Sequence, residues 1–276
     1  MSILYVVGTP IGNLEDLSPR AMRVLREVAL VAAEDTRKTR HLFTRFDVHT
    51  PLTLYFEHNK LAKLDTILAA LEHGDVALVS EAGMPGLSDP GYELIRAAIA
   101  AGFPVVPIPG PVAAITALVV SGLPTDSFTF LGFLPRKASE RRHALQDVAA
   151  ERRTLILYEA PHRLADCLAD IESVLGDRPI AVARELTKLH EEVYRGTVAG
   201  AREHFAGDVL GEVTLIIGGA THASTETWDE ERIRRALGEA MSAGLERKEA
   251  ARRVAQESGW PRREIYRLAV DLPGAE

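Results

Sequence analysis

Short apolar runs and helical periodicities alternate along the first 122 residues. Ile3–Val7, Ala29–Ala33, Val76–Val79 and Val105–Ile108 are compact β-rich runs bounded by turn residues, and each reads as a buried strand. Between them lie helical patterns. One covers residues 20–28 behind the N-cap pair Ser18-Pro19, a second runs from Lys60 to Glu72 and stops at Gly74, and a third runs from Tyr92 to Ala101 and stops at Gly102. The last, Val112 to Val120, is apolar throughout. Strand, loop and helix in repeated order predict a parallel sheet covered by helices on both faces, so an α/β domain over residues 1–122.

Gly122-Leu-Pro-Thr125 breaks the pattern and reads as a linker. Beyond it, Phe128–Phe133, Thr154–Tyr158, Pro179–Ala183, Val193–Thr197 and Glu212–Ile217 are strand-like. Ser139–Ala150 and Arg163–Leu175 are helical, and a short helix is expected before the last strand. This predicts a second α/β domain with a mixed sheet, residues 126–222. Residues 226–276 form a third pattern: helices at Glu230–Ala243, Lys248–Gln256 and Pro261–Val270, the last two joined by Ser258-Gly-Trp260. Two short helices across a glycine turn resemble a helix-turn-helix, with a small bundle bearing a solvated basic face as the alternative.

The polar positions cluster where the predicted strands end. Gly8 to Asp16, Glu34 to Arg40, Ser80 to Gly91 and Pro109 to Pro111 all follow a strand directly. In a parallel open sheet these loops share one edge, the edge where ligands bind. Gly83 to Gly91 holds three glycines and two prolines, which lets backbone approach a ligand closely. The longer stretch Ser80 to Gly91 carries Ser80, Glu81, Ser88 and Asp89 and neither Lys nor Arg. A phosphate cradle would bring a cation, so a neutral or cationic ligand suits this loop better.

The net charge of −7 excludes a broadly basic nucleic-acid binder. The average conceals an asymmetry, however, because residues 232–267 hold ten Lys or Arg against five Glu and the rest of the chain is correspondingly acidic. The single cysteine, Cys167, sits in a helical pattern as a small core residue and fits a reducing compartment. No run reaches the roughly 20 apolar residues of a membrane span, and a cytosolic chain is expected. The nine histidines lack ligand spacing, so no metal is expected.

Seven phrases, in order, carry a family resemblance: Gly8-Thr-Pro-Ile-Gly-Asn-Leu-Glu-Asp16, Glu34-Asp-Thr-Arg-Lys-Thr39, Val79-Ser-Glu-Ala-Gly-Met-Pro-Gly-Leu-Ser-Asp-Pro-Gly91, Pro109-Gly-Pro-Val-Ala-Ala-Ile115, Gly132-Phe-Leu-Pro135, Tyr158-Glu-Ala-Pro-His-Arg163 and Ala183-Arg-Glu-Leu-Thr-Lys188. Together they resemble the tetrapyrrole-methylase fold family of S-adenosylmethionine-dependent methyltransferases, over residues 1 to about 220. Glu81, Met84 and Ala160 depart from its usual residues while every loop glycine and proline is kept. The resemblance implies two α/β domains with S-adenosylmethionine in the cleft between them. It places cofactor contacts at Pro10, Gly83, Met84, Pro85, Leu87, Ala113, Ala114, Tyr158, Ala183 and Val213. It further implies a ribose 2′-hydroxyl of a cytidine in the decoding centre of 16S ribosomal RNA as acceptor, the small ribosomal subunit as partner, and a homodimer.

A hydroxyl acceptor gains from a base. Asp35, Glu81, Asp89, Glu185 and Lys188 are the candidates at the predicted edge, each competing with a role as ion pair or cap. Asp89, before Pro90, is placed to cap the next helix, and Lys188 would need a depressed pKa, for which Arg184 is a nearby cation. Arg37, Lys38, Arg40, Arg136, Lys137, Arg141, Arg142, His162 and Arg163 are candidates for holding RNA phosphates, against the alternative of a solvated face. Rival functions are C-methylation of a precorrin, nicotinamide-dependent hydride transfer, for which Gly8 and Gly12 have the wrong spacing, and RNA binding without catalysis.

Overall fold

The computed structural model describes residues 2–220, 228–258 and 260–271. It divides into two compact units, residues 1–219 and 220–276.

The first unit opens with a five-stranded parallel sheet: β1 (Leu4–Val7), β2 (Leu30–Ala33), β3 (Leu52–Leu54), β4 (Val76–Val79) and β5 (Val105–Ile108), in the order β3-β2-β4-β1-β5. Its helices are α1 (Pro19–Glu27), α2 (Thr36–Phe46), α3 (Lys60–His73), α4 (Tyr92–Ala100) and α5 (Ala113–Ser121). Ser18 and Asp35 cap α1 and α2 by accepting backbone N–H bonds. The edge strand β3 is absent from the sequence-based expectation. Leu52-Thr-Leu54 is too short and too exposed to make an apolar run.

The second sheet contains β6 (Phe128–Phe133), β7 (Thr154–Glu159), β8 (Pro179–Arg184), β9 (Glu192–Thr197) and β10 (Val213–Ile217), in the order β6-β7-β10-β8-β9. Only β6 and β7 pair in parallel, so the sheet is mixed. Strand alternation sorts its two faces. Leu155, Leu157, Ile180, Val182, Val213, Leu215 and Ile217 join the core beneath α6 (Ala138–Asp147), α7 (Leu164–Leu175) and α8 (Val198–His204). Ile156, Ala181, Ala183 and Ile216 face the other way and pack on Ala114, Ala117 and Leu118 of α5. The apolar helix that closes the first sheet is thus buried against the second, where small residues permit close contact.

Residues 228–258 and 260–271 contain α9 (Glu230–Ser242), α10 (Arg247–Ser258) and α11 (Arg262–Val270), around Ile233, Leu237, Ala250, Val254, Ile265 and Leu268. Asp229 caps α9 by accepting from Arg232 N at 2.8 Å. The boundary expected at 222–226 and the turn glycine Gly259 lie outside the described residues.

Candidate active site

The chain leaves β2 toward the edge strand β3 and leaves β4 toward β5 on the opposite side, so the connections of these adjacent strands diverge and a crevice opens between them. Glu34 follows β2 and Glu81 follows β4. They meet there, with Glu81 N donating to Glu34 Oε2 at 3.1 Å.

Close backbone approach builds the floor. Thr9 and Gly83 exchange N–H···O bonds of 2.9 and 3.1 Å, pinning the first loop to the third. A Cβ on Gly8 would lie 2.7 Å from Gly110 Cα, so the loops after β1 and β5 touch only because both positions are glycine. Gly83 itself adopts φ 80°, the left-handed region that glycine enters without strain. A Cβ on Gly12 would come within 2.4 Å of Lys188 Cγ, and Asn13 N donates to Thr187 Oγ1 at 3.0 Å. The first loop is therefore stitched to the end of the second sheet.

A cavity of about 380 Å³ occupies this junction. Gly83, Met84, Leu87, Ala113, Tyr158 and Val213, six of the expected cofactor contacts, line it, as does Asp89. The other four do not. Pro10 lines a neighbouring cavity, Pro85 is buried in the loop, and Ala114 and Ala183 pack between α5 and the second sheet. Tyr158 Oη accepts from Ala114 N at 3.2 Å and fixes the mouth of α5 to β7. Phe130 and Phe133 brace the Tyr158 ring at 5.1 and 5.4 Å.

Carboxylates dominate the polar lining: Glu34, Glu81, Asp89, Glu159 and Glu212, with neither Lys nor Arg. Burial, with the Glu34 charge nearby, pushes the Asp89 carboxyl up to about 6, and burial likewise raises Glu34. Glu159 is fully buried; its Oε1 accepts from Ala160 N at 2.8 Å, while Oε2 has no hydrogen-bond partner among the described residues. Glu34, Glu212 and Thr214 were not singled out from the sequence. They reach the cavity because β2 lies beside β4 and β10 beside β7, neighbours that only the strand order reveals.

Several expectations change. Asp89 does not cap α4, since Gly91 holds the N-cap position with no side-chain bond. Lys188 is not depressed. Burial alone would lower its pKa, but Glu185 at 2.8 Å and Glu212 at 2.9 Å outweigh it and hold the ammonium above its ordinary value. Arg184, the cation expected to depress it, is engaged with Glu192 at 2.9 Å. Asp35 faces its own helix, accepting from Arg37 N at 2.7 Å and Lys38 N at 3.3 Å. Arg141 and Arg142 converge on Asp170; Arg141, 2.6 Å away, is buried and does not extend to a surface phosphate, whereas Arg142 pairs at 3.2 Å and stays exposed. Arg163 also turns inward, toward Glu159 and the Leu134 and Pro135 carbonyls. Arg37, Lys38, Arg136 and His162 are exposed.

Residues 3–201 match the family model described as tetrapyrrole (corrin/porphyrin) methylases. The chain belongs to the tetrapyrrole methylase family. Within that family it groups with proteins named ribosomal RNA small subunit methyltransferase I. It is 48% identical to the one from Synechocystis sp., over 99% of each chain, and 44% identical to the one from Escherichia coli O157:H7, over 98% of this chain and 96% of the relative. Among solved structures it resembles uroporphyrin-III-C-methyltransferase from Thermus thermophilus, with a TM-score of 0.55 at 22% identity over 79% of this chain and 94% of that one. A cobalt precorrin-4 methyltransferase gives 0.56 at 15% identity over 78% and 94%. These two likenesses are of fold. The methyl donor of the tetrapyrrole methylase family is S-adenosylmethionine. The cavity fits it, because a sulfonium is held by carboxylates and carbonyls, and the apolar surfaces of Met84, Leu87 and Val213 suit an aromatic base.

Proposed function

We propose that the chain transfers a methyl group from S-adenosylmethionine to ribosomal RNA of the small subunit, and that the acceptor is the ribose 2′-hydroxyl of a cytidine in the decoding centre of 16S ribosomal RNA. The observation that carries methyl transfer is the cation-free, carboxylate-lined cavity at the switch point. The names of the relatives support the RNA substrate, as does their reach. They align along almost the whole chain, whereas the family model stops at residue 201. A precorrin methylase needs no basic C-terminal unit, which weighs against that rival.

When bound, S-adenosylmethionine supplies an electrophilic methyl group. Gly83, Met84, Leu87, Ala113, Tyr158 and Val213 would hold it, with Pro10, Pro85, Ala114 and Ala183 supporting those positions from behind. Asp89 is assigned as the base that accepts the hydroxyl proton. Its raised pKa leaves it ionised at neutral pH yet more basic than an exposed carboxylate. Lys188 and Glu185 position Glu212, and Asp35 holds the start of α2. Arg37, Lys38, Arg136 and His162 hold RNA phosphates, while Arg163 anchors the turn that carries Arg136. The C-terminal helices add a second RNA contact, and the protein works in the cytoplasm as a homodimer.

The test is methyl transfer to small subunits purified from cells lacking this protein, with the modified nucleotide mapped by mass spectrometry. A 2′-O-methylcytidine is expected. A methyl group on a base, or none, overturns the assignment.

A further inference from the structure

A second cavity, about 300 Å³, adjoins the carboxylate-lined one and shares Glu81 with it. One wall is a face of α2, on which Lys38, His41 and Arg45 follow one another at spacings of three and four residues, with Leu42 beside them. Pro10 and the exposed Leu14, from the loop after β1, and Ser80 and Glu81, from the loop after β4, complete the lining. The helix has no acidic residue between Thr36 and Phe46. Lys38 pairs with Glu81 at the boundary between the two cavities, while His41 and Arg45 are exposed, with no ion pair among the described residues. Two adjoining cavities thus differ in charge: one is lined by carboxylates without Lys or Arg, the other by Lys38, His41 and Arg45 together with Pro10, Leu14 and Leu42 and the shared Glu81.

We propose that this second cavity holds a nucleotide of the RNA substrate next to the acceptor, its phosphate on Arg45, His41 and Lys38 and its base against Leu14 and Leu42. The assignment rests on the ribosomal-RNA reading above. A polyanion brought to the carboxylate-lined cavity alone meets repulsion, and the α2 face offsets it at the point where the strand must enter. The volume lies at the low end of the roughly 300–1,000 Å³ typical of ligand cavities, which suits a single nucleotide and is small for a tetrapyrrole. Leu14 and Leu42 supply the apolar surface on which a base rests without sequence readout.

The full-length protein and its Arg45→Gln, Arg45→Lys and Leu14→Ala variants are titrated with a single-stranded oligoribonucleotide carrying the acceptor sequence, at several salt concentrations. S-adenosylmethionine affinity and the KM for small subunits are measured in parallel. Arg45→Gln is expected to weaken RNA binding and raise KM by about tenfold, and to reduce the slope of log K against log salt by about 0.7. Arg45→Lys should restore the slope. Leu14→Ala should weaken binding with the slope unchanged, and the cofactor affinity should be the same in all four proteins. RNA affinity, salt slope and KM equal to wild type in both Arg45→Gln and Leu14→Ala overturn the nucleotide cavity while wild-type methylation stands. A wild-type protein that methylates no ribosomal RNA overturns the functional reading and this cavity with it.

Discussion

Asp89 is the residue on which the chemistry can be tested most directly. Its carboxyl sits at about 6 rather than its ordinary 3.8 because it is partly buried beside Glu34. The wild-type rate of methyl transfer should therefore fall as pH drops through about 6. Asp89→Asn should lower kcat at pH 7.5 by roughly 10²–10⁴-fold, the usual worth of a positioned base. Stability should move the other way. A carboxyl whose folded-state pKa is raised costs stability once ionised, so the wild-type fold weakens as pH rises from 3.8 to about 6, and the asparagine variant escapes that loss. Melting curves at pH 4 and pH 8 check the sign: the variant gains relative to wild type only at the higher pH. At this scale the sequence was partly legible. The loop of Asp89 announced itself by its glycines, prolines and lack of cations. The groups that share its cavity, Glu34 and Glu212, could not be paired with it, because their proximity depends on strand order and on a second sheet far along the chain.

Among elements, the four loops at the sheet edge were readable because each follows an apolar run and opens a helical period. The contacts between them were not, since nothing in Gly8 or Gly110 alone says that they touch. Gly110→Ala should force the loops after β1 and β5 apart, costing about 1–3 kcal/mol in urea unfolding, as overpacking does, and weakening S-adenosylmethionine binding at the same time. Helix α2 offers a milder perturbation. Asp35→Ala removes the acceptor for Arg37 N and Lys38 N, so exchange of those two amides should accelerate while amides of the central helix keep their protection. The short edge strand β3 escaped notice because three residues with threonine at the centre make no hydrophobic pattern. Helix α5 was recognised as apolar on every side, but which sheet it covers needed the alanines of β8 to be seen beneath it.

For the whole molecule, every described group lining the carboxylate cavity and the α2 cavity belongs to residues 1–219. A chain ended after Gly219 should bind S-adenosylmethionine with unchanged affinity and RNA more weakly, through the contacts of residues 1–219 alone. Equal RNA affinity in the full and shortened chains would remove the C-terminal helices from substrate docking. The charge asymmetry that pointed to those helices was plain in the sequence. Its local balance was hidden, because Arg234, Arg252 and Arg253 pair with glutamates on their own helices.

The seating of α5 has one more consequence. With Ala114 and Ala117 packed on Ala181 and Ala183, and Tyr158 tied to Ala114, the two jaws of the cleft share a hydrophobic seam. A slot that such a seam holds at one width would spend no free energy on closing and gate no encounter. The observed rate of cofactor binding should climb in proportion to concentration without reaching a plateau, and selectivity should be decided on arrival.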